Sequence, residues 1–237
     1  MNKLLSMEFR NAFKSLIHKA LPVILLIFSA LCGIINSNNE DSSFDGLFML
    51  LTMMFEFITL AVGLVISKDF TQNTIRNKII VGHTRTNIYI SKQIFTTAVY
   101  LLNSVMFYIG YTVSTAHFAG TADLNRTGLI RGSVILFCCV LSLSLFANFL
   151  TMTVKSALGA ALPLLCVYMA MMLGTFRDIF QVKALELISE TIPFGNIMFI
   201  SCSMPYPHTV RCCILTLCFG AACFAGGLTI FRKTNLN

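Results

Sequence analysis

Residues 68–92 read KDFTQNTIRNKIIVGHTRTNIYISK, a polar island between two apolar runs at about 46–67 and 93–118. The island carries Lys68, Arg76, Lys78, Arg85 and Lys92 against one acid, Asp69. A helix rises 1.5 Å per residue, so an apolar run of about 20 residues matches the thickness of the bilayer hydrocarbon. A basic segment tied at both ends to such runs is a loop held at a membrane surface. It is a candidate docking surface for something on that side.

Working outward, the rest of the chain repeats this pattern. Of its 237 residues, 56% are hydrophobic and only 11% charged, where a soluble domain carries about 25% charged residues. Too few polar side chains exist to coat a soluble surface, so an all-α integral membrane protein is expected, a single transmembrane domain over 1–237. Apolar runs at about 21–36, 46–67, 93–118, 131–153, 156–174 and 210–231 predict six transmembrane helices. The net charge of +7 reads as topology rather than as a nucleic-acid surface. With the N-terminus inside, twelve of the 17 Lys and Arg residues fall on the cytoplasmic side. That bias places both termini in the cytoplasm.

Ahead of the first run, Leu5, Phe9, Phe13, Leu16, Ile17 and Ala20 share a helical face, with Lys3, Arg10, Lys14 and His18 gathered on another. The pattern predicts an amphipathic helix over 1–20 lying in the membrane interface. These residues are too many for the basic head of a signal peptide. An outer loop is expected at about 175–209. The nine cysteines lie mostly in apolar runs and none has metal-ligand spacing. Cys202 with Cys212 or Cys213 is the one pairing the sequence suggests on the outer side. The last span carries Gly220, Ala222, Gly226 and Gly227, small residues that allow close helix approach.

Within the island, Thr71 or Thr74 is placed to cap a short helix with the body IRNKIIV, and Gly82 suits its C-terminal stop. Ile75 and Ile79 lie one turn apart and share a surface, with Arg76 and Lys78 on its flanks. His83, Thr84 and Arg85 then lead into a second helix that feeds the third span. Glu56 stands alone as an acid deep within a span, a position that costs about 2.5–3.5 kcal/mol on insertion scales. It is expected to be protonated, paired, or facing a wet cavity, which makes it a candidate for the translocation path.

The segment DFTQNTIRNKIIVGHTRTNIYISK resembles the cytoplasmic loop of type-2 ABC exporter permeases, through Asp69, Thr74, Arg76, Lys78, Gly82, Arg85 and Lys92. Asn73 departs from that pattern, which usually has Gly there, but Asn tolerates left-handed backbone. The basic ending IFRKTNLN and the six-span layout are also similar. The resemblance implies that Thr74–Gly82 is a coupling helix docking on a separate cytoplasmic ATPase subunit. In it, Arg76, Lys78 and Arg85 would make the electrostatic contacts and Ile75 and Ile79 the apolar ones. It further implies a second permease, identical or paralogous, and residence in a bacterial cytoplasmic membrane. The chain has no G-x-x-x-x-G-K-S/T motif, so ATP and magnesium are expected in the partner and no cofactor or metal in this chain. Apolar spans with one acid suit an amphipathic peptide or hydrophobic drug as cargo. The alternative is an ATP-independent secondary transporter or channel that uses Glu56.

Overall fold

The computed structural model describes residues 2–14, 16–37, 45–119, 126–155, 158–159, 161–166, 168–169 and 206–233. Seven helices hold most of them: α1 (Asn2–Lys14), α2 (Leu16–Ser37), α3 (Asp45–Thr71), α4 (Thr74–Ile80), α5 (Arg85–Ala119), α6 (Arg126–Val154) and α7 (Tyr206–Lys233). No strand occurs among the described residues. Among the described residues three stretches, Arg85–Phe118, Ile130–Val154 and Thr209–Lys233, are long and apolar enough to cross a membrane, and Lys19–Ile35 is a shorter apolar helix. The first apolar helix begins at Leu16, earlier than the run at 21–36 suggests. Of the expected fifth span only parts between 158 and 169 are described, and they are helical. Cys202 and nearly all of the expected outer loop lie outside the described residues.

The distribution of side chains inverts that of a soluble bundle. Val23, Ile24, Ile27 and Leu31 on α2, Val105 and Val113 on α5, and Val134 and Phe137 on α6 all point outward and are at least half exposed. Ser29, Thr59, Asn103, Ser104, Thr115, Ser142, Ser144, Asn148 and Thr216 are meanwhile buried. In water such a surface would be one continuous sticky patch. Against hydrocarbon it costs nothing, and the polar groups turn inward, where most of them find partners that lipid does not offer. The molecule is built for an apolar solvent.

Those inward polar groups join the helices. Asn148 Nδ2 on α6 donates to Gln93 Oε1 on α5 at 2.9 Å, and Gln93 Nε2 donates to Thr97 Oγ1 at 3.0 Å. Thr97 in turn meets Ser144 Oγ at 2.9 Å. The Thr59 and Tyr100 hydroxyls pair at 2.6 Å between α3 and α5, and Ser142 Oγ donates to the Thr216 carbonyl of α7 at 2.6 Å. Lipid-facing helices gain little from excluding lipid, so close packing and such bonds must hold them together.

Helices α2 and α5 approach closely. A Cβ at Gly33 would strike Ser114 Oγ and lie 2.9 Å from the Tyr111 carbonyl oxygen. A Cβ at Gly110 would strike Ser29 Oγ and lie 2.7 Å from the Leu26 carbonyl oxygen. Ser29 therefore seats over Gly110, and Ser114 over Gly33. The four-residue spacing on both helices makes the notch reciprocal. In α7, Gly220 packs on Ser142 and Leu145, and Gly227 on Tyr89 and Phe149. Gly226 has only Phe149 nearby, at 3.9 Å, and Ala222 is exposed.

Thermal unfolding in lipid nanodiscs should separate these glycines. Gly33→Ala and Gly110→Ala are each expected to cost about 1–3 kcal/mol through overpacking, whereas Gly226→Ala should stay close to the parent protein.

Candidate functional site

The site forms where α3 ends and α5 begins. Asn73 ends the α3 turn in left-handed conformation, φ 54° and ψ 20°, with its amide bonded to the Phe70 carbonyl at 3.1 Å. Asn and Gly reach this region most readily, and the turn forms with Asn in the place of Gly. Asn73 occupies the N-cap position of α4 without a side-chain cap bond. Neither Thr71 nor Thr74 is that cap, contrary to expectation. Thr71 still belongs to α3 and donates its hydroxyl back to the Lys68 carbonyl at 3.0 Å, while Thr74 is already the first residue of α4.

Gly82 stops α4 as expected. With φ 99° it lets its own amide reach the Ile79 carbonyl at 2.9 Å while the His83 amide reaches that of Lys78 at 3.1 Å. This is the paired 6→1 and 5→2 bonding of a Schellman ending. Thr84 then opens α5, its Oγ1 accepting from the Asn87 amide at 3.3 Å. A seven-residue helix is thus held between two left-handed residues.

Four ionic side chains from four helices close a ring behind α4. Lys78 Nζ of α4 lies 2.5 Å from Glu8 Oε1 of α1, and Lys92 Nζ of α5 lies 2.5 Å from Glu8 Oε2. Lys92 also pairs with Asp69 Oδ2 of α3, which stands 3.9 Å from Lys78 Nζ. The side chains of Glu8, Lys78 and Lys92 are at most 4% exposed, and that of Asp69 17%. Two carboxylates and two ammonium groups leave no net charge to desolvate, and each ion has its counter-ions in contact. Burial alone would push the Glu8 carboxyl up. The charges of Lys92 and Lys78, with the hydrogen bonds both donate, outweigh burial and hold it below its ordinary value.

The ring decides what α4 shows to the outside. Ile75 and Lys78 are buried and Ile79 is half-buried against the core. The expectation that Lys78 projects to a flank is therefore corrected: Glu8 draws it inward, and Ile75 turns in with it. Arg76 and Asn77 face outward, and Ile80 and Val81, at 73% and 79% exposure, form the tip beside Gly82. Arg85 also faces the bundle, its Nη1 donating to the Arg232 carbonyl at the end of α7 at 3.1 Å. Thr74 is half-buried. Among the sequence-selected residues, the structure brings Asp69, Lys78 and Lys92 together and leaves Arg76 outward. Glu56 lies apart on α3, half-buried, with no ion pair among the described residues.

The residue that sequence reading passed over is Glu8. Its signal was its register: it follows Leu4 by one helical turn and precedes Phe9, so it lies on the inward face of α1. There Leu4 is buried and Phe9 meets Phe95 of α5 edge-on at 5.6 Å. Lys3 and Arg10 take the outer face. No group of three or more His, Cys, Asp or Glu side chains suited to a metal ion occurs among the described residues. Comparison of the chain with protein-family models and with curated proteins gives no match.

Glu8→Gln should cost about 3–5 kcal/mol, because it strands an ammonium group in the interior. Adding Lys78→Gln should recover part of that loss, which a double-mutant cycle by thermal unfolding would measure. The sign with pH follows from the lowered Glu8 value. Its contribution is present above the ordinary carboxylate pKa of about 4.3 and is lost as pH falls through the lower folded value. The parent protein should therefore lose more stability on acidification below that point than Glu8→Gln does.

Proposed function

We propose that the chain is the membrane-spanning subunit of an ATP-driven type-2 ABC exporter, with six spans and both termini in the cytoplasm of a bacterial cell. The single observation that carries this reading is the tip of α4. Ile80 and Val81 stand exposed between Arg76 and Gly82 on a helix whose other face is fastened into the bundle. Large apolar side chains on a basic, structurally fixed tip gain most by entering a partner's socket. The resemblance of the 69–92 segment to exporter coupling loops supplies the identity of that partner, a separate ATPase subunit. The docking contacts on this geometry are Arg76, Ile80 and Val81. Lys78, Ile75 and Arg85 act behind them, holding the helix.

ATP hydrolysis belongs to the partner in this reading, and two permease copies or paralogues enclose the path. The lipid-facing shell and the scarcity of intramembrane charge favour an amphipathic peptide or hydrophobic drug as cargo. Glu56 supports a second reading. A half-buried acid on α3 without an ion pair among the described residues suits proton- or ion-coupled transport without ATP. Flux through proteoliposomes containing this chain alone would favour that second reading.

The first reading is tested by co-expression with the cognate ATPase and affinity capture of the permease. Arg76→Glu combined with Ile80→Asp and Val81→Asp is expected to abolish ATPase capture at unchanged permease yield. Undiminished capture would remove the docking assignment.

A further inference from the structure

We propose that Glu8 is a positioning residue that makes α1 a transmitting element. It binds α1 to α4, so that a displacement of α4 is delivered to α2 as well as to α3 and α5. The proposal rests on α4 being the element a partner moves, and it assigns a mechanical role to a helix otherwise read as resting on lipid headgroups.

The chemistry of the contact supports a firm tie. Glu8 uses both carboxylate oxygens, Oε1 toward Lys78 and Oε2 toward Lys92. An amide in its place would keep one acceptor and turn a donor toward the other ammonium group. At 4% exposure Glu8 has almost no water to replace either partner. Drawing α4 away from α1 would bare Lys78 and Glu8 together in a poorly solvated place, a far larger penalty than parting a surface pair. The two helices therefore travel as one body.

The same ring fixes where that motion goes. Asp69 lies in the last turn of α3 and Lys92 in the first turns of α5, so both helices are gripped directly. Only position 15 separates α1 from α2, whose Ser29 and Gly33 interlock with Gly110 and Ser114 of α5. Through Glu8 the short helix α4 is thereby connected to α2 as well. The charge pattern of α1 agrees. Lys3 and Arg10 are exposed, as anionic headgroups favour, while an acid on the apolar face would be repelled by such lipids and has its partners inside.

The test uses the full chain in lipid nanodiscs. Spin labels are introduced through p-acetylphenylalanine at Asn11 of α1 and Asn77 of α4, both exposed, with Val134 of α6 as a reference position. The parent protein should give one narrow 11–77 distance. Glu8→Asp should keep it, and Glu8→Gln should lose it. Glu8→Gln with Lys78→Gln restores charge balance and with it part of the thermal stability, yet the narrow distance should stay lost. If that double variant regains both, Glu8 only balances charge and the proposal is overturned. With the ATPase bound, magnesium-ATP and vanadate should shift positions 11 and 77 together relative to 134. A nucleotide-dependent change in the 11–77 distance itself would also overturn it. Failure of any ATPase to bind would instead remove the functional reading, and the 11–77 distances of the permease alone would still decide whether Glu8 ties α1 to α4.

Discussion

The arrangement of the loop end depends on one requirement: a charge taken out of water must meet its counter-charge. Lys78 and Lys92 are buried, and each meets a carboxylate. Satisfying both calls for two acids, and these come from the first helix and from the end of α3. Four helices, whose Leu4, Ile66, Ile75 and Ile88 already share one apolar cluster, are thereby also joined through charge at one point. Attraction between unit charges weakens only with the first power of distance, but desolvation makes imperfect geometry expensive. A closed alternating ring is the arrangement that leaves none of the four groups alone.

The remainder of the bundle follows a second rule, set by its solvent. Where apolar side chains face lipid, burying more of them earns no stability, so hydroxyls, amides and glycines take over the work of cohesion. The Gln93, Thr97, Ser144 and Asn148 chain and the serine-on-glycine notch between α2 and α5 are two forms of it. One links polar groups across helices; the other shortens the distance between backbones. Together they give α5 its central place, touched by α2, α3 and α6 through different chemistry on different faces.

Much of this was legible in one dimension. Apolar length is a local property, and the runs near 93–118, 131–153 and 210–231 coincide with three helices that, among the described residues, are long and apolar enough to span. The stop at Gly82 and the left-handed turn at Asn73 were also readable, because each depends on the backbone freedom of a single residue. What could not be read was direction. Ile75, Ile79 and Ile80 are the same residue type within six positions, and the ring together with the apolar core that receives Ile75 decides that Ile75 turns in and Ile80 out. The ring in turn depends on Glu8 meeting lysines 70 and 84 residues further along the chain. No periodicity within α1 names those partners. Thr71 and Thr74 were plausible caps for a helix starting where either would serve. The actual start was fixed by the turn at Asn73.

The brevity of α4 has a consequence for the order in which the protein can be put together. Seven residues are too few to stay helical in isolation, so the outward pair Ile80 and Val81 has a defined shape only once Lys78 is seated. Seating it requires Glu8, from the start of the chain, and its companion Lys92 requires α5 to be in place. A surface at that tip is therefore defined only once α1, α3, α4 and α5 have met around the ring. Whatever reads Ile80 and Val81 reads, at second hand, that the first helix has come home.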